Sequence, residues 1–203
     1  MNKRGKFITL EGMDGAGKST HIPGIIQLLK ARGIEVVSTR EPGGTSLGEK
    51  LRELLLQEEM QPETEALLMF AARQEHLAQL ILPALSRGAY VVSDRFTDAS
   101  FAYQAGGRGL AIEKMQILEH WVQADLQPNL TLLFDVPVEV SIARLATARA
   151  PDKFERESAD FFTRIRNTYL QRAAQYPERF AVIDANRSIE DVWQSVHNVI
   201  TTI

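Results

Sequence analysis

At 203 residues, with 44% hydrophobic and 24% charged residues, the chain has the size and composition of one globular domain with a substantial core. A net charge of −3 argues against a nucleic-acid partner, and the absence of cysteine excludes disulfides, thiolate zinc sites and thiol catalysis. The basic start Met1-Asn2-Lys3-Arg4-Gly5-Lys6 precedes an apolar run too short for a signal peptide, and no run approaches membrane-spanning length. A soluble, cytoplasmic protein with no membrane partner is expected.

Strand-like and helix-like stretches alternate along the chain. Phe7–Glu11 reads as a buried strand, and His21–Arg32 as a helix stopped by Gly33. Glu35–Thr39 is a second strand, broken by Pro42-Gly43-Gly44. Leu47–Leu56 and Glu63–Ser86 read as helices, the second bent or shortened at Pro83. Tyr90–Ser93 is a third strand, ending at Asp94-Arg95. Helical patterns cover Asp98–Gln104 and Ile112–Ala124, with Gly106-Gly107-Arg108-Gly109 expected as a mobile loop between them. Leu130–Phe134 is a fourth strand, ending at Asp135. A helix over Val138–Ala148, a polar stretch Arg149–Glu157 and a helix over Asp160–Tyr176 follow. Phe180–Ile183 is a fifth strand, and Ile189–Ile203 closes the chain as an amphipathic helix. This alternation predicts an α/β fold: a five-stranded parallel sheet with helices on both faces, binding its ligands at the carboxyl ends of the strands.

Between the first strand and its helix lies Gly12-Met13-Asp14-Gly15-Ala16-Gly17-Lys18-Ser19, which fits the phosphate-binding P-loop pattern at every fixed position. The glycines let the backbone curl its N–H groups inward around an oligophosphate, and the helix start adds its positive end. Lys18 supplies a charge for the outer phosphates, and the Ser19 hydroxyl suits Mg²⁺. With Thr20 behind them, these residues are expected to hold a nucleoside triphosphate.

Further features narrow the reaction. Asp94, at a strand end, suits a magnesium ligand, and Arg95 suits bidentate binding of a phosphoryl group. The bland alternative is a turn-capping Asp beside a surface Arg. Arg40, Arg52, Arg73, Arg95 and Arg149 are more guanidinium groups than one triphosphate needs, and they suit a second anionic substrate. Arg52 and Arg149 could each equally be solvated surface residues. Arg73 follows the apolar Leu67–Ala72, where an arginine is unexpected without a partner. The run from Asp94 to Gln104 concentrates aromatic and amide groups as a nucleobase pocket would, although an amphipathic helix with Phe101 and Tyr103 in the core gives the same pattern.

Together these pieces resemble the bacterial thymidylate kinases over nearly the whole chain. The matching segments are Glu11–Ser19, Arg40-Glu41-Pro42-Gly43-Gly44-Thr45, Phe70-Ala71-Ala72-Arg73, Asp94-Arg95-Phe96, Ser100-Phe101-Ala102-Tyr103-Gln104 and Gly107-Arg108-Gly109. The resemblance implies transfer of a phosphoryl group from ATP to thymidine 5′-monophosphate (dTMP), with Mg²⁺, by a homodimer. It implies that Lys18 and the loop amides hold the ATP phosphates, with Arg144 against the adenine beside Asn186-Arg187-Ser188. Asp14 would face the acceptor's sugar, and Arg40 and Arg95 would contact its phosphate. Arg73 and Ser100 would read the thymine edge, with Gln104 and Arg52 in the same pocket and Tyr103 against the deoxyribose. Either Met69 or Phe70 could pack on the base, since both share a helical face with Arg73. The Glu41–Pro42 bond is expected to be cis. A mobile lid near residues 144–157 would carry Arg149 to the transferring group, although Lys153 stands where relatives often have arginine and cannot form the same bidentate clamp.

Two other classes fit less well. A GTP-dependent switch would carry an Asn-Lys-x-Asp tetrapeptide, and none occurs. A scaffold without turnover would not need Lys18, Ser19 and Asp94 all intact. A kinase of another nucleotide or a deoxynucleoside differs only in its base-reading residues.

Overall fold

The computed structural model describes residues 4–146 and 152–203. Strands β1 (Phe7–Glu11), β2 (Val36–Arg40), β3 (Tyr90–Asp94), β4 (Leu130–Asp135) and β5 (Phe180–Asp184) form one all-parallel sheet in the order β2-β3-β1-β4-β5. Every residue of the central strand β1 is buried, as expected where helices cover both faces. The chain leaves β1 toward β2 on one side and later reaches β4 on the other, so the loop after β1 stands at a topological switch point. Leu10 lies opposite Asp94 and Glu11 opposite Leu133, which brings the P-loop and the Asp94-Arg95 turn out side by side.

Helix α1 (Lys18–Ala31) starts directly from the P-loop and packs on α9 (Ile189–Thr201), with the His21 ring stacked between Phe134 and Trp193. Thr45 caps α2 (Ser46–Gln57) by accepting the Gly48 N–H at 2.9 Å. The helix expected over residues 63–86 is α3 (Pro62–His76), a π turn at Leu77–Ile81 and α4 (Leu82–Ser86). The Leu82 N–H reaches back to Leu77 O, so the turn widens just before Pro83, whose ring cannot fit a regular helix interior.

Helix α5 (Thr97–Ser100) likewise runs into a π segment, Phe101–Gly107, ahead of α6 (Ile112–Gln123). Gly106 and Gly107 are therefore not a mobile loop. They are flat contact points against α8 (Ala159–Gln175): a Cβ would come 2.2 Å from Thr168 at Gly106 and 2.5 Å from the Phe161 ring at Gly107. Helix α7 is described over Val138–Ala146; the last two residues of its expected span lie outside the described residues. No helix among the described residues is long and apolar enough to cross a membrane.

Candidate active site

The P-loop wraps the start of α1, with Gly15 and Gly17 at φ 76° and 91°. Lys18 folds back over the loop, its Nζ donating to the carbonyls of Gly12 and Met13, both at 2.9 Å. Burial, and then the nearby Arg95 guanidinium, lower the Lys18 ammonium from its usual range. Asp14, Ser19, Thr20 and Asp94 line the cleft above the loop. Met13 and Ala16 face the core beneath it, each 2% exposed, and Gly12 packs against the Phe134 carbonyl. Arg144 tethers the loop to the end of β5, with Nη1 donating to Gly15 O at 3.4 Å and Nη2 to Ala185 O at 3.1 Å. Arg144 also lines an adjoining cleft with His21, Arg187 and Ile189.

A second pocket opens beside the first and shares Asp14, Glu41, Arg52 and Arg95 with it. Its floor holds Arg73, only 2% exposed. Nε donates to Glu41 Oε2 at 2.8 Å and Nη2 to Ser100 Oγ at 2.9 Å. The guanidinium lies between the Phe70 and Phe96 rings, 4.5 and 5.1 Å from their centroids. Glu41 also holds His76 Nδ1 at 2.9 Å, and the Glu41–Pro42 bond is cis. The π segment's wide turn presents both Tyr103 and Gln104 to the pocket, where a regular helix would turn them further apart.

Asp14 and Arg95 join the two spaces. Arg95 Nη2 donates to Asp14 Oδ1 at 2.8 Å and to the Tyr103 hydroxyl at 2.9 Å, and that hydroxyl donates to Asp14 Oδ2 at 2.7 Å. Burial alone would raise the Asp14 carboxyl; the Arg95 and Lys18 charges and the Tyr103 hydroxyl outweigh it and hold the group at about 2. Beneath them Glu11, with no exposed surface, is pushed up to about 8 by burial and by the neighbouring Asp98.

Three buried side-chain atoms among the described residues lack a hydrogen-bond partner: Asp94 Oδ1, Arg73 Nη1 and Gln104 Oε1. Asp94 lines the P-loop cleft and the other two line the second pocket. Buried orphans of this kind are rare in folded proteins, and these three all belong to residues that line the two joined clefts. The donor set also fits Mg²⁺: a buried free carboxylate oxygen near a P-loop hydroxyl, with no self-sufficient metal cluster among the described residues.

The structure gathers almost every residue expected at the site. Phe70 does not reach the pocket wall: it lies under Arg73, and Met69 occupies that wall. Arg40 borders the cleft with its guanidinium on Glu49, 2.7 Å away, and Arg52 Nη1 binds Pro42 O at 3.0 Å. Arg149 lies outside the described residues. Sequence reasoning missed Phe154 as a pocket-wall residue, the Glu11–Tyr169 pair behind Arg95, and the buried Glu65 behind Gln104. Glu65 and Tyr169 sit in ordinary helical patterns, which carry no sign of a polar partner distant in sequence.

A parallel sheet with a P-loop at its switch point, an arginine-rich second pocket and a shared Asp–Arg pair define a P-loop nucleotide kinase. The sequence profile described as thymidylate kinase matches residues 10–196. A thymidylate kinase of Methylobacillus flagellatus is 70% identical over 196 residues, covering 97% of each chain. One from Cupriavidus taiwanensis is 64% identical, covering 98% of this chain and all of its own. The crystal structure of the Ehrlichia chaffeensis thymidylate kinase superposes with a TM-score of 0.79 at 32% identity, covering 97% of this chain and 99% of that one. The chain belongs to the thymidylate kinase family.

Proposed function

We propose that the two clefts are the donor and acceptor halves of one phosphotransferase site, with ATP on the P-loop and dTMP in the second pocket. The enzyme phosphorylates thymidine 5′-monophosphate, as its family membership establishes. The observation that carries the residue assignment is the pair of orphans in the acceptor pocket. Arg73 Nη1 is a free donor and Gln104 Oε1 a free acceptor. The thymine edge offers the complement, an O4 acceptor and an N3–H donor, whereas cytosine offers the reverse.

In this reading Arg95, Arg40 and Arg52 bind the acceptor phosphate, Met69 packs on the base, and Tyr103 closes against the sugar. Lys18 leaves its two carbonyls for the donor phosphates, and Arg144 lies against the adenine. Ser19 and Asp94 would hold Mg²⁺, which, when bound, neutralises charge on the donor phosphate oxygens. Asp14, held at about 2, is ionised at working pH and is a poor base. Its part is to orient Arg95. Catalysis then rests on positioning two anions and neutralising their charge. Phe154, 5% exposed and packed edge-on against Tyr103, supports a covering role for its segment, with Arg149 reaching the transferring group when that segment closes.

The exposed Leu67 of α3 and Ile117 and Trp121 of α6, on helices that pack together, support a homodimer through that face. Sedimentation should show a dimer that Trp121→Glu converts to monomers. A cytoplasmic location fits the absence of cysteine. The acceptor assignment is tested by ADP formation from ATP with each nucleoside monophosphate in turn. Strong preference for dTMP that collapses in Arg73→Ala supports it, and unchanged base preference in that variant overturns it.

A further inference from the structure

Gln104 has an amide that can face either way, and the direction decides which bases the pocket accepts. Its Nε2 donates to Glu65 Oε1 at 2.9 Å, which leaves Oε1 buried and without a partner in a side chain that lines the pocket. A carboxylate only accepts hydrogen bonds, so it binds the NH₂ end of the amide and turns away the carbonyl end. Glu65 is 1% exposed and has two cationic neighbours. Lys153 Nζ lies 3.0 Å from Oε2 and Arg108 Nε 3.6 Å from Oε1. Lys153 also donates to Glu58 O at 3.0 Å, and the next residue, Phe154, lines the acceptor pocket. One buried carboxylate therefore contacts both the base-facing amide and the segment seated over the pocket.

We propose that Glu65 is a positioning residue for base selection: paired with Lys153, it locks Gln104 with its carbonyl toward the pocket, so that keto pyrimidines are accepted and 4-aminopyrimidines rejected. The proposal rests on the acceptor-pocket reading given above. Lys153 thereby has a role that does not require a phosphate clamp. When residues 152–157 are seated, the Lys153 ammonium holds Glu65 Oε2, which leaves Oε1 to receive the Gln104 amide. Without that ammonium the carboxylate loses the contact that fixes its orientation, and its hold on the amide's direction loosens.

The test compares kcat and KM of the full chain and its variants on dTMP, dUMP and dCMP, with a thermal melt of each variant. Deoxyuridylate keeps the keto edge and lacks only the methyl group, so it separates edge reading from general pocket damage. Glu65→Gln keeps the shape but can donate as well as accept. It should raise the dCMP:dUMP ratio of kcat/KM about tenfold or more, chiefly through KM, with the dUMP:dTMP ratio unchanged. Lys153→Met should move the same ratio in the same direction, less strongly. Gln104→Ala should also raise it. The proposal is overturned if folded Glu65→Gln and Lys153→Met leave the dCMP:dUMP ratio within twofold of wild type while Gln104→Ala shifts it. A silent Gln104→Ala overturns the proposal together with the pocket reading beneath it. Should Glu65→Gln fail to fold, Lys153→Met decides by the same ratio.

Discussion

Glu11 braces Arg95 at two points: its Oε1 accepts the N–H of the following residue, Phe96, at 2.7 Å, and its Oε2 accepts from the Tyr169 hydroxyl at 2.9 Å, which itself receives Arg95 Nη1 at 3.2 Å. Arg95 needs bracing, because its φ of 72° is left-handed, where a side chain with a Cβ is strained. The Arg95 N–H donates to Leu10 O at 2.9 Å, and Ser93 Oγ donates to the Arg95 carbonyl at 2.7 Å. The strained turn throws the guanidinium back over the P-loop toward Asp14.

The brace makes stability pH-dependent. Glu11 titrates near 8 in the folded chain, against an ordinary 4.5. Between those values the native state holds a proton that the unfolded chain has released, so stability falls as pH rises through the interval and levels off above it. Glu11→Gln has no proton to lose: its carbonyl oxygen keeps the bond from Phe96 N–H, and its NH₂ donates to the Tyr169 hydroxyl in place of accepting from it. Melts of both proteins from pH 5 to 9 should show the variant gaining on wild type steadily up to about pH 8. A constant difference across the range would contradict this account.

Asp14 behaves oppositely, because its low value leaves it ionised from about pH 4 upward. Its stabilising pair with Arg95 is complete above the ordinary carboxyl value and is lost only as pH falls toward 2. Asp14→Asn should lower kcat roughly a hundredfold by releasing Arg95 and Tyr103, with the ratio to wild type the same at pH 6 and pH 9. A ratio that grows with pH would instead make Asp14 a base titrating in that range.

Asp98 was legible only as part of a helix start, yet it is a buried anion between two buried cations. Its Oδ1 and Oδ2 accept from Arg179 at 2.9 and 2.7 Å, and Arg172 Nε donates to Oδ1 as well. Removing the charge leaves two buried guanidinium groups short of neutralisation. Asp98→Asn should therefore cost about 3–5 kcal/mol in urea unfolding. A change under 1 kcal/mol would show that water or rearrangement compensates.

These residues separate what the sequence reveals from what it hides. The strand–helix alternation and the P-loop are local patterns, and β1, α1 and Lys18 stand where those patterns place them. Arg73 was conspicuous because a guanidinium in an apolar helix needs a partner; the partners themselves, Glu41 and Ser100, came only with the structure. Glu11–Tyr169 spans 158 positions and Asp98–Arg179 spans 81, and no local period links such pairs. The π segment at Phe101–Gly107 was hidden for a different reason. Helical periodicity does not distinguish a wide turn from a regular one, and Gly106-Gly107 imitates a loop while serving as a contact with α8.

The P-loop glycines permit a sharper test, because Gly12 and Gly17 both have positive φ but differ in what a side chain would meet. At Gly12, φ 134°, a Cβ would lie 2.4 Å from the Phe134 carbonyl oxygen, which is backbone of the neighbouring strand and cannot turn aside. At Gly17, φ 91°, it would meet nothing within 4 Å. Both alanine variants carry conformational strain of roughly 1–2 kcal/mol. Only Gly12→Ala adds the clash, so it should be clearly the less stable in urea unfolding. Gly17→Ala should fold with a modest loss, but Gly17 lines the cleft proposed for the donor phosphates, so with a methyl group there the KM for ATP should rise at least tenfold while the KM for dTMP moves little. Equal losses of stability in the two variants would mean that the Phe134 backbone yields to the Gly12 methyl group, and an unchanged KM for ATP in Gly17→Ala would mean that the phosphates do not lie against Gly17.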